Sequence, residues 1–181
     1  MKHEIIEFQD ISIIGMAKDI AFCHPEECGK FWAEYVERII KPVVIEGRVP
    51  DAFQQAALDN GIGEYALCTC GIANHDCATC GAENFVPCNT RTFTYVIGGI
   101  YKGGDVPHGM SLYKVRNGRW LKVHFEGGLA AFQEQFAKFQ HEWLPSHPEF
   151  SWAKDASTME WYCGNPESPD YQCGVMMPLE G

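Results

Sequence analysis

The order of the predicted elements constrains the fold most, because one pattern of strands and helices occurs twice along the chain. Residues 27–40 and 129–144 carry large apolar side chains at helical spacing, with charged residues between them. These apolar stripes are Phe31, Trp32, Tyr35, Val36, Ile39 and Ile40 in the first segment and Phe132, Phe136, Phe139 and Trp143 in the second. Because proline lacks a backbone N–H and disfavours helix in the residue before it, we expect Pro42 and Pro145 to end the two helices.

Short runs rich in β-branched and aromatic residues surround these helices and predict strands. They cover residues 5–20, as one strand or a strand bent near Gly15, and then 64–69, 92–101, 111–116, 120–125, 159–163 and 173–177. A short helix is expected around residues 52–58. The order strand, helix, strand, strand is therefore followed by the same order again. This predicts an α+β fold of two βαββ repeats, with pseudo-two-fold symmetry and a ligand cleft between the repeats. We expect eight strands in all, one more than the seven runs assigned here.

The length of the chain fits one domain. With 181 residues, we expect a single domain over 1–181, with one repeat at about 1–103 and the other at about 104–181. The first repeat carries a cysteine-rich insert at 68–90.

Charge and hydropathy exclude several classes of partner. The formal net charge is −10, and the 14 Lys and Arg residues form no cluster, which argues against nucleic acid. No apolar run reaches the roughly 18 residues of a membrane span, so we expect no membrane partner. Glu4 and Glu7 interrupt any signal-peptide core at the N-terminus, which predicts a cytoplasmic location.

Glu160 is the most informative polar residue, because it lies inside the short aromatic strand predicted at 159–163. Alternation along a strand places Glu160 and Tyr162 on one face and Trp161 on the other. A carboxylate in such a strand is costly to bury without a partner. Glu160 is therefore a glutamate on an exposed strand face, a partner of a nearby Lys, or the central charge of an aromatic-lined cavity that suits flat, apolar or cationic molecules.

The cysteines permit two interpretations. Nine is an odd number, and with no secretion signal we expect free thiols or a metal site and not a disulfide framework. Paired cysteines could hold a tetrahedral zinc ion, with Cys77 and Cys80 joined by two of Cys68, Cys70, Cys88 and His75. The zinc set we favour is Cys70, Cys77, Cys80 and Cys88. The alternative is reduced thiols in a glycine-rich loop, with no cofactor required.

Several weak motifs occur in an order and spacing that resemble a known family over roughly residues 5–180. They are Phe31-Trp32-x-x-Tyr35, Phe93-x-Tyr95-x-x-Gly98, Val106-Pro107-His108-Gly109-Met110, Asn117-Gly118-Arg119-Trp120-Leu121-Lys122-Val123, Gly127, Trp143-Leu144-Pro145 and Glu160-x-Tyr162. With these motifs the chain resembles the GyrI-like small-molecule-binding domain, which is also the effector-binding domain of multidrug-sensing bacterial transcription regulators.

The resemblance implies a hydrophobic cleft between two βαββ repeats, with the Glu of the Glu-x-Tyr motif inside it. The ligand-binding residues expected on this basis are Glu160, Tyr162, Tyr95, Trp120, Trp32 and Phe125. We expect the regulator role not to transfer, because the resemblance covers the sensor module alone and no segment of the sequence resembles a DNA-binding domain. The cysteines at 70–88 also depart from the family pattern.

Three functions follow as hypotheses. The first is binding of hydrophobic, planar or cationic small molecules, in xenobiotic sensing or sequestration. The second is hydrolysis of electrophilic aromatic compounds in the same cleft, with Glu160 as the catalytic acid or base, since some members of the family are hydrolases. The third is a protein-interaction role such as inhibition of a topoisomerase, as the family name suggests.

Overall fold

The structure is a computed structural model that describes residues 1–21, 24–68, 92–153 and 156–180. The described residues form an α+β fold with one sheet of eight antiparallel strands, in the order β1-β6-β8-β7-β3-β4-β2-β5. The strands are β1 Lys2–Phe8, β2 Ser12–Ala21, β3 Tyr65–Cys68, β4 Thr92–Ile100, β5 Ser111–Lys114, β6 Gly118–Phe125, β7 Thr158–Cys163 and β8 Gln172–Pro178. The α+β class and the expected number of strands are confirmed. The four cysteines of the favoured zinc set lie outside the described residues.

Three α-helices accompany the sheet in these ranges, and two of them are extended by other helical turns. Helix α1 spans Glu26–Tyr35 and continues as a π-helix over Val36–Ile45, and α2 spans Ala52–Asp59. A 3₁₀ turn at Leu129–Ala131 leads into α3 at Phe132–Lys138, which continues as a π-helix at Phe139–Trp143 and a 3₁₀ turn at Leu144–Ser146. No helix within the described ranges has the length and apolar character needed to cross a membrane.

The first predicted strand is two strands, and the break is not at Gly15. Asp10 interrupts the chain with a left-handed backbone (φ 53°), and its N–H donates to Asn117 Oδ1 at 2.9 Å. Gly15 lies within β2, where an added Cβ would collide with the Ile97 carbonyl oxygen. Glycine is thus needed there for close contact between β2 and β4, and the chain is interrupted at Asp10 instead.

Pro42 does not end the first helix, contrary to the prediction. In an α-helix its ring would contact the carbonyl group of Arg38, but the wider π turn continues past it to Ile45. The Arg38 carbonyl oxygen instead accepts a hydrogen bond from Gln54 Nε2 of α2 at 2.8 Å. Gln54 also completes a capping box with Asp51, which explains why α2 begins at Ala52. The Gln54 side chain thus ties α2 to the first helix.

The sheet must curve strongly, because β1 and β2 are far apart in its strand order but adjacent in the chain. Six strand-to-strand steps would separate them by roughly 29 Å in a flat sheet. The connection from Phe8 to Ser12 spans at most about 14 Å. A curled sheet brings its two ends together, and residues from both ends, such as Phe8 and Ile13, pack in one cluster on the concave face with Trp120.

The helices cover the other face of the sheet. One cluster there joins Phe31, Tyr35 and Ile39 of the first helix to residues of β2, β3 and β4. A second cluster joins Phe132 and Phe139 to residues of β6 and β8. The two helical layers therefore stand over opposite halves of one sheet, and the strands β7 and β3 lie at its centre.

Candidate functional site

A cavity of about 1530 Å³ is lined mainly by side chains from the helices and from the helix-covered face of the sheet. The volume exceeds the roughly 300–1,000 Å³ usual for small-molecule sites. The lining side chains include Cys28, Trp32, Tyr35, Cys68, Tyr95, Phe132, Phe136, Phe139, Trp152, Glu160, Tyr162, Val175 and Met177. Most of these are aromatic or apolar, so the cavity suits a hydrophobic molecule.

Glu160 projects into this cavity from the middle of the sheet. It stands on β7, where Ala66 of β3 is its partner on one side and Val175 of β8 on the other. Its neighbours Met159 and Trp161 belong to the concave-face cluster, so alternation directs Glu160 and Tyr162 towards the helices. The Glu160 side chain is half-buried.

Two tyrosine hydroxyl groups donate hydrogen bonds to the same oxygen of the Glu160 carboxylate. The Tyr95 hydroxyl donates a short hydrogen bond to Glu160 Oε2, and the Tyr162 hydroxyl donates to the same atom at 2.7 Å. Trp32 Nε1 in turn donates to the Tyr95 hydroxyl oxygen at 3.0 Å. Within the described residues, no hydrogen-bond donor contacts Oε1 and no cationic side chain pairs with Glu160.

Aromatic rings surround this hydrogen-bonded group. The Trp32 ring meets Tyr162 at a centroid distance of 5.2 Å and Tyr35 at 5.6 Å, both edge to face. Phe132 of α3 stacks on Tyr162 at 5.7 Å. Tyr162 therefore lies between the two helical layers, in contact with a ring from each.

Burial determines the electrostatics of the site. Desolvation raises the pKa of Glu160 above its ordinary value, against the hydrogen bonds from Tyr95 and Tyr162, which favour the ionised form. Burial also raises the pKa of both phenols, and the neighbouring carboxylate adds to the effect, so both stay protonated donors. Burial and, to a smaller extent, the charge of Glu160 also raise the pKa of the Cys28 thiol to about 12. Cys28 is therefore a neutral part of the wall and not a nucleophile.

Four of the six ligand-binding residues expected from the sequence meet in the cavity: Glu160, Tyr162, Tyr95 and Trp32. Trp120 and Phe125 do not line it. Trp120 is 1% exposed on the concave face, where its ring centroid lies 5.4 Å from that of Phe8. It faces this side because the register of β6 turns Leu121 towards the helices. Phe125 does face the helices, but it is buried beneath Phe132, with the two ring centroids 5.2 Å apart.

The sequence did not identify the second helical wall or the cavity thiols. Phe132 and Phe136 belong to the apolar stripe of the second predicted helix, and they also line the cavity. A stripe shows which side of a helix faces the sheet, but not where two helices stand apart. Cys28 and Cys68 carry no pattern that marks them as lining residues.

The predicted zinc site is untested by this arrangement. Cys70, Cys77, Cys80 and Cys88 lie outside the described residues, as does His75. Among the residues that the structure describes, no group of three or more His, Cys, Asp or Glu side chains could hold a metal ion. Cys68 is described, and it lines the cavity.

Comparison with protein-family models and with curated proteins gives no match. Solved structures do match over the whole chain. SAV2435 bound to tetraphenylphosphonium has a TM-score of 0.65 at 14% identity, covering 100% of this chain and 95% of SAV2435. A putative bacterial transcription regulation protein from Staphylococcus aureus MU50 has a TM-score of 0.59 at 15% identity, with 100% and 99% of the two chains covered.

A third structure supports the same fold. An uncharacterized conserved protein from Listeria innocua has a TM-score of 0.52 at 11% identity, covering 99% of this chain and 92% of that one. At such low identity these matches establish the fold alone. The chain therefore has the fold of SAV2435 and of the staphylococcal protein, and this confirms, at the level of the fold, its resemblance to the GyrI-like domain.

Proposed function

We propose that this protein binds hydrophobic, planar or cationic small molecules in the aromatic cavity, with Glu160 as the central negative charge. The observation that carries the proposal is the environment of this carboxylate. Glu160 stands in an apolar cavity, two phenols orient it, and none of the described cationic side chains neutralises it. A cationic ligand would supply the missing counter-charge.

The surrounding rings would add to the attraction. An aromatic face attracts a cation within about 6 Å of its centroid, with about 0.5–2 kcal/mol per contact depending on desolvation. Trp32, Tyr162 and Phe132 offer such rings around one carboxylate. The net charge of −10 favours the approach of cations over anions at longer range.

The structural matches give independent support to the class of ligand. SAV2435, which shares the fold, is bound to the aromatic cation tetraphenylphosphonium. We extend small-molecule binding to this chain as part of the proposal, acting in xenobiotic sensing or sequestration in the cytoplasm.

We also propose that the fold consists of two βαββ repeats related by pseudo-two-fold symmetry. The strand order supports them, since β3-β4-β2-β5 on one side of the centre corresponds to β7-β8-β6-β1 on the other.

Calorimetric titration with tetraphenylphosphonium and with the neutral triphenylphosphine oxide tests the proposal. The Glu160→Gln change removes the charge and keeps the size of the side chain. We expect this change to weaken binding of the phosphonium cation by about 1–3 kcal/mol, the range of a charge-assisted contact in a partly dry site. Binding of the neutral compound should be nearly unchanged.

A matched control is Glu149→Gln, which makes the same change at an exposed glutamate that does not line the cavity. It should leave both affinities unchanged. Equal affinity of the wild type and Glu160→Gln for the cation would contradict the proposal.

Hydrolysis is a second candidate, favoured by one observation. A carboxyl group whose pKa is raised by burial, with an open oxygen towards the cavity, is suited to take a proton from water or to give one to a leaving group. A turnover assay with an aryl ester and an aryl epoxide tests it. A hydrolase should lose turnover in Glu160→Gln and still bind neutral aromatic compounds, whereas a binding protein turns over neither substrate.

A further inference from the structure

The arrangement of donors around Glu160 is asymmetric, and this asymmetry bears on the chemistry of the ligand. Both phenols donate to Oε2, one through the short bond from Tyr95 and the other from Tyr162 at 2.7 Å. No donor among the described residues reaches Oε1. One carboxylate oxygen is thus occupied by two hydroxyl groups, and the other retains its capacity to accept.

We propose that the cavity prefers cations that carry an N–H donor, that is protonated amines and amidines, over quaternary onium ions of the same shape. The inference rests on the proposed function, since it concerns ligands of the same cavity. A protonated amine can place its charge beside the carboxylate and donate to Oε1 at the same time. A quaternary ion offers the charge but has no proton to donate.

Burial is what makes this difference matter. A carboxylate oxygen in an apolar cavity without a hydrogen bond loses the donors that water would supply, and this loss is costly. The free oxygen is not enclosed, because Glu160 is half-buried and opens to the cavity. Ligand binding displaces water from it, and only a ligand with a donor replaces the bond that the water made.

The side chains around Glu160 leave Oε1 open to a donor from the ligand. Tyr95 cannot readily turn to Oε1, because its oxygen already accepts the Trp32 N–H at 3.0 Å while its proton is given to Oε2. Phe132 stacks on the Tyr162 ring and Trp32 contacts the same ring, so that phenol is also held in place. The protein therefore keeps its own donors on one side of the carboxylate.

A matched pair of ligands tests the inference: N,N-dimethyl-2,2-diphenylethylamine and its N-methyl quaternary salt. At neutral pH the amine is protonated, because alkyl amines titrate well above neutrality, as the lysine ammonium does. Calorimetry on the wild type should show the amine binding about tenfold more tightly than the quaternary salt, the ratio for one charge-assisted hydrogen bond.

The ratio of the two affinities is then measured again in Glu160→Gln, which removes the charge from the acceptor. Methylation also changes size and hydration, but these effects are common to both proteins and cancel in the comparison. We expect the ratio to fall by at least about threefold, because a neutral acceptor gives a weaker bond.

The outcomes separate the two proposals. Equal affinities in the wild type, tighter binding of the quaternary salt, or a ratio unchanged in Glu160→Gln would overturn the preference for N–H donors. In those cases the proposed function stands if both cations still bind the wild type more tightly than the variant. If neither cation binds the wild type, the proposed function fails and the preference fails with it.

Discussion

Tyr95 and Glu160 stand on strands that do not pair with each other, and the Tyr95 hydroxyl reaches the Glu160 carboxylate across the intervening strand β3. On β3, Ala66 lies opposite Glu160 and Cys68 lies opposite Tyr95. Ala66 is fully buried and faces the same side of the sheet as Glu160. Its small side chain leaves room beside Glu160, so the site depends on the identity of a residue that makes no polar contact of its own.

The first prediction concerns Ala66→Leu. The added atoms would lie beside Glu160 at a fully buried position and overpack the core, so we expect a loss of about 1–3 kcal/mol in the free energy of unfolding. Affinity for tetraphenylphosphonium should also fall, because the carboxylate is no longer oriented. Ala153→Leu, at another buried alanine, should destabilise the protein without changing the affinity. Unchanged affinity in Ala66→Leu would show that the site does not need a small side chain opposite Glu160.

A second prediction concerns Trp32. Trp32→Phe keeps a ring against Tyr162 but removes the N–H that donates to Tyr95. The loss of one neutral hydrogen bond should weaken cation binding by about 0.5–1.5 kcal/mol. Trp32→Ala should cost more, because the ring itself is lost. Calorimetry that finds the two variants equally impaired would mean that the N–H is not used.

The third prediction concerns pH. Burial raises the pKa of Glu160 in the folded protein above its ordinary value of 4.5. Because the folded state holds this proton more tightly than the unfolded state, the stabilising contribution is complete below pH 4.5 and is lost as the pH rises through the folded pKa. The wild type should therefore lose stability over this interval relative to Glu160→Gln, which does not titrate. Cation affinity should rise over the same interval, since the carboxylate becomes charged.

Denaturant unfolding and calorimetry of the wild type and Glu160→Gln across this pH range measure both effects. A constant difference in the free energy of unfolding between the two proteins would contradict the raised pKa. A cation affinity that falls with rising pH would contradict the role of the charge.

A fourth prediction separates the two tryptophans that the family pattern suggested as ligand contacts. Trp120 is buried on the concave face and donates to the Arg116 carbonyl oxygen at 3.0 Å. Trp120→Phe should cost about 1–3 kcal/mol of stability through lost packing and a lost hydrogen bond. Ligand affinity should stay unchanged. A large loss of affinity with no loss of stability would place Trp120 in the site after all.

The central strand of the site could be predicted from the sequence because its pattern is local. The alternation through residues 158–163 determines that Glu160 and Tyr162 share a face, whichever strands lie beside them. The same rule did not place Trp120, because the face of β6 that meets the helices depends on its register with β1 and β8. Register arises from long-range pairing, which a single sequence does not reveal.

Two further differences have a similar cause. The wide helical turn at Pro42 depends on Gln54 of α2, whose side chain donates a hydrogen bond to the Arg38 carbonyl oxygen. The break at Asp10 depends on Asn117, which is 107 residues away along the chain. The prediction of zinc at Cys70, Cys77, Cys80 and Cys88 stays a prediction, and elemental analysis of protein purified without chelator tests it.

A crystal structure of the protein with tetraphenylphosphonium would show where the cation binds. We expect the phosphonium ion inside the cavity, on the helix-covered face of the sheet, with its charge directed at Glu160. At least one of the rings of Trp32, Tyr162 and Phe132 should lie within about 6 Å of the ligand, the reach of a cation–π contact. A phosphonium ion bound elsewhere, with the cavity around Glu160 unchanged, would contradict the account.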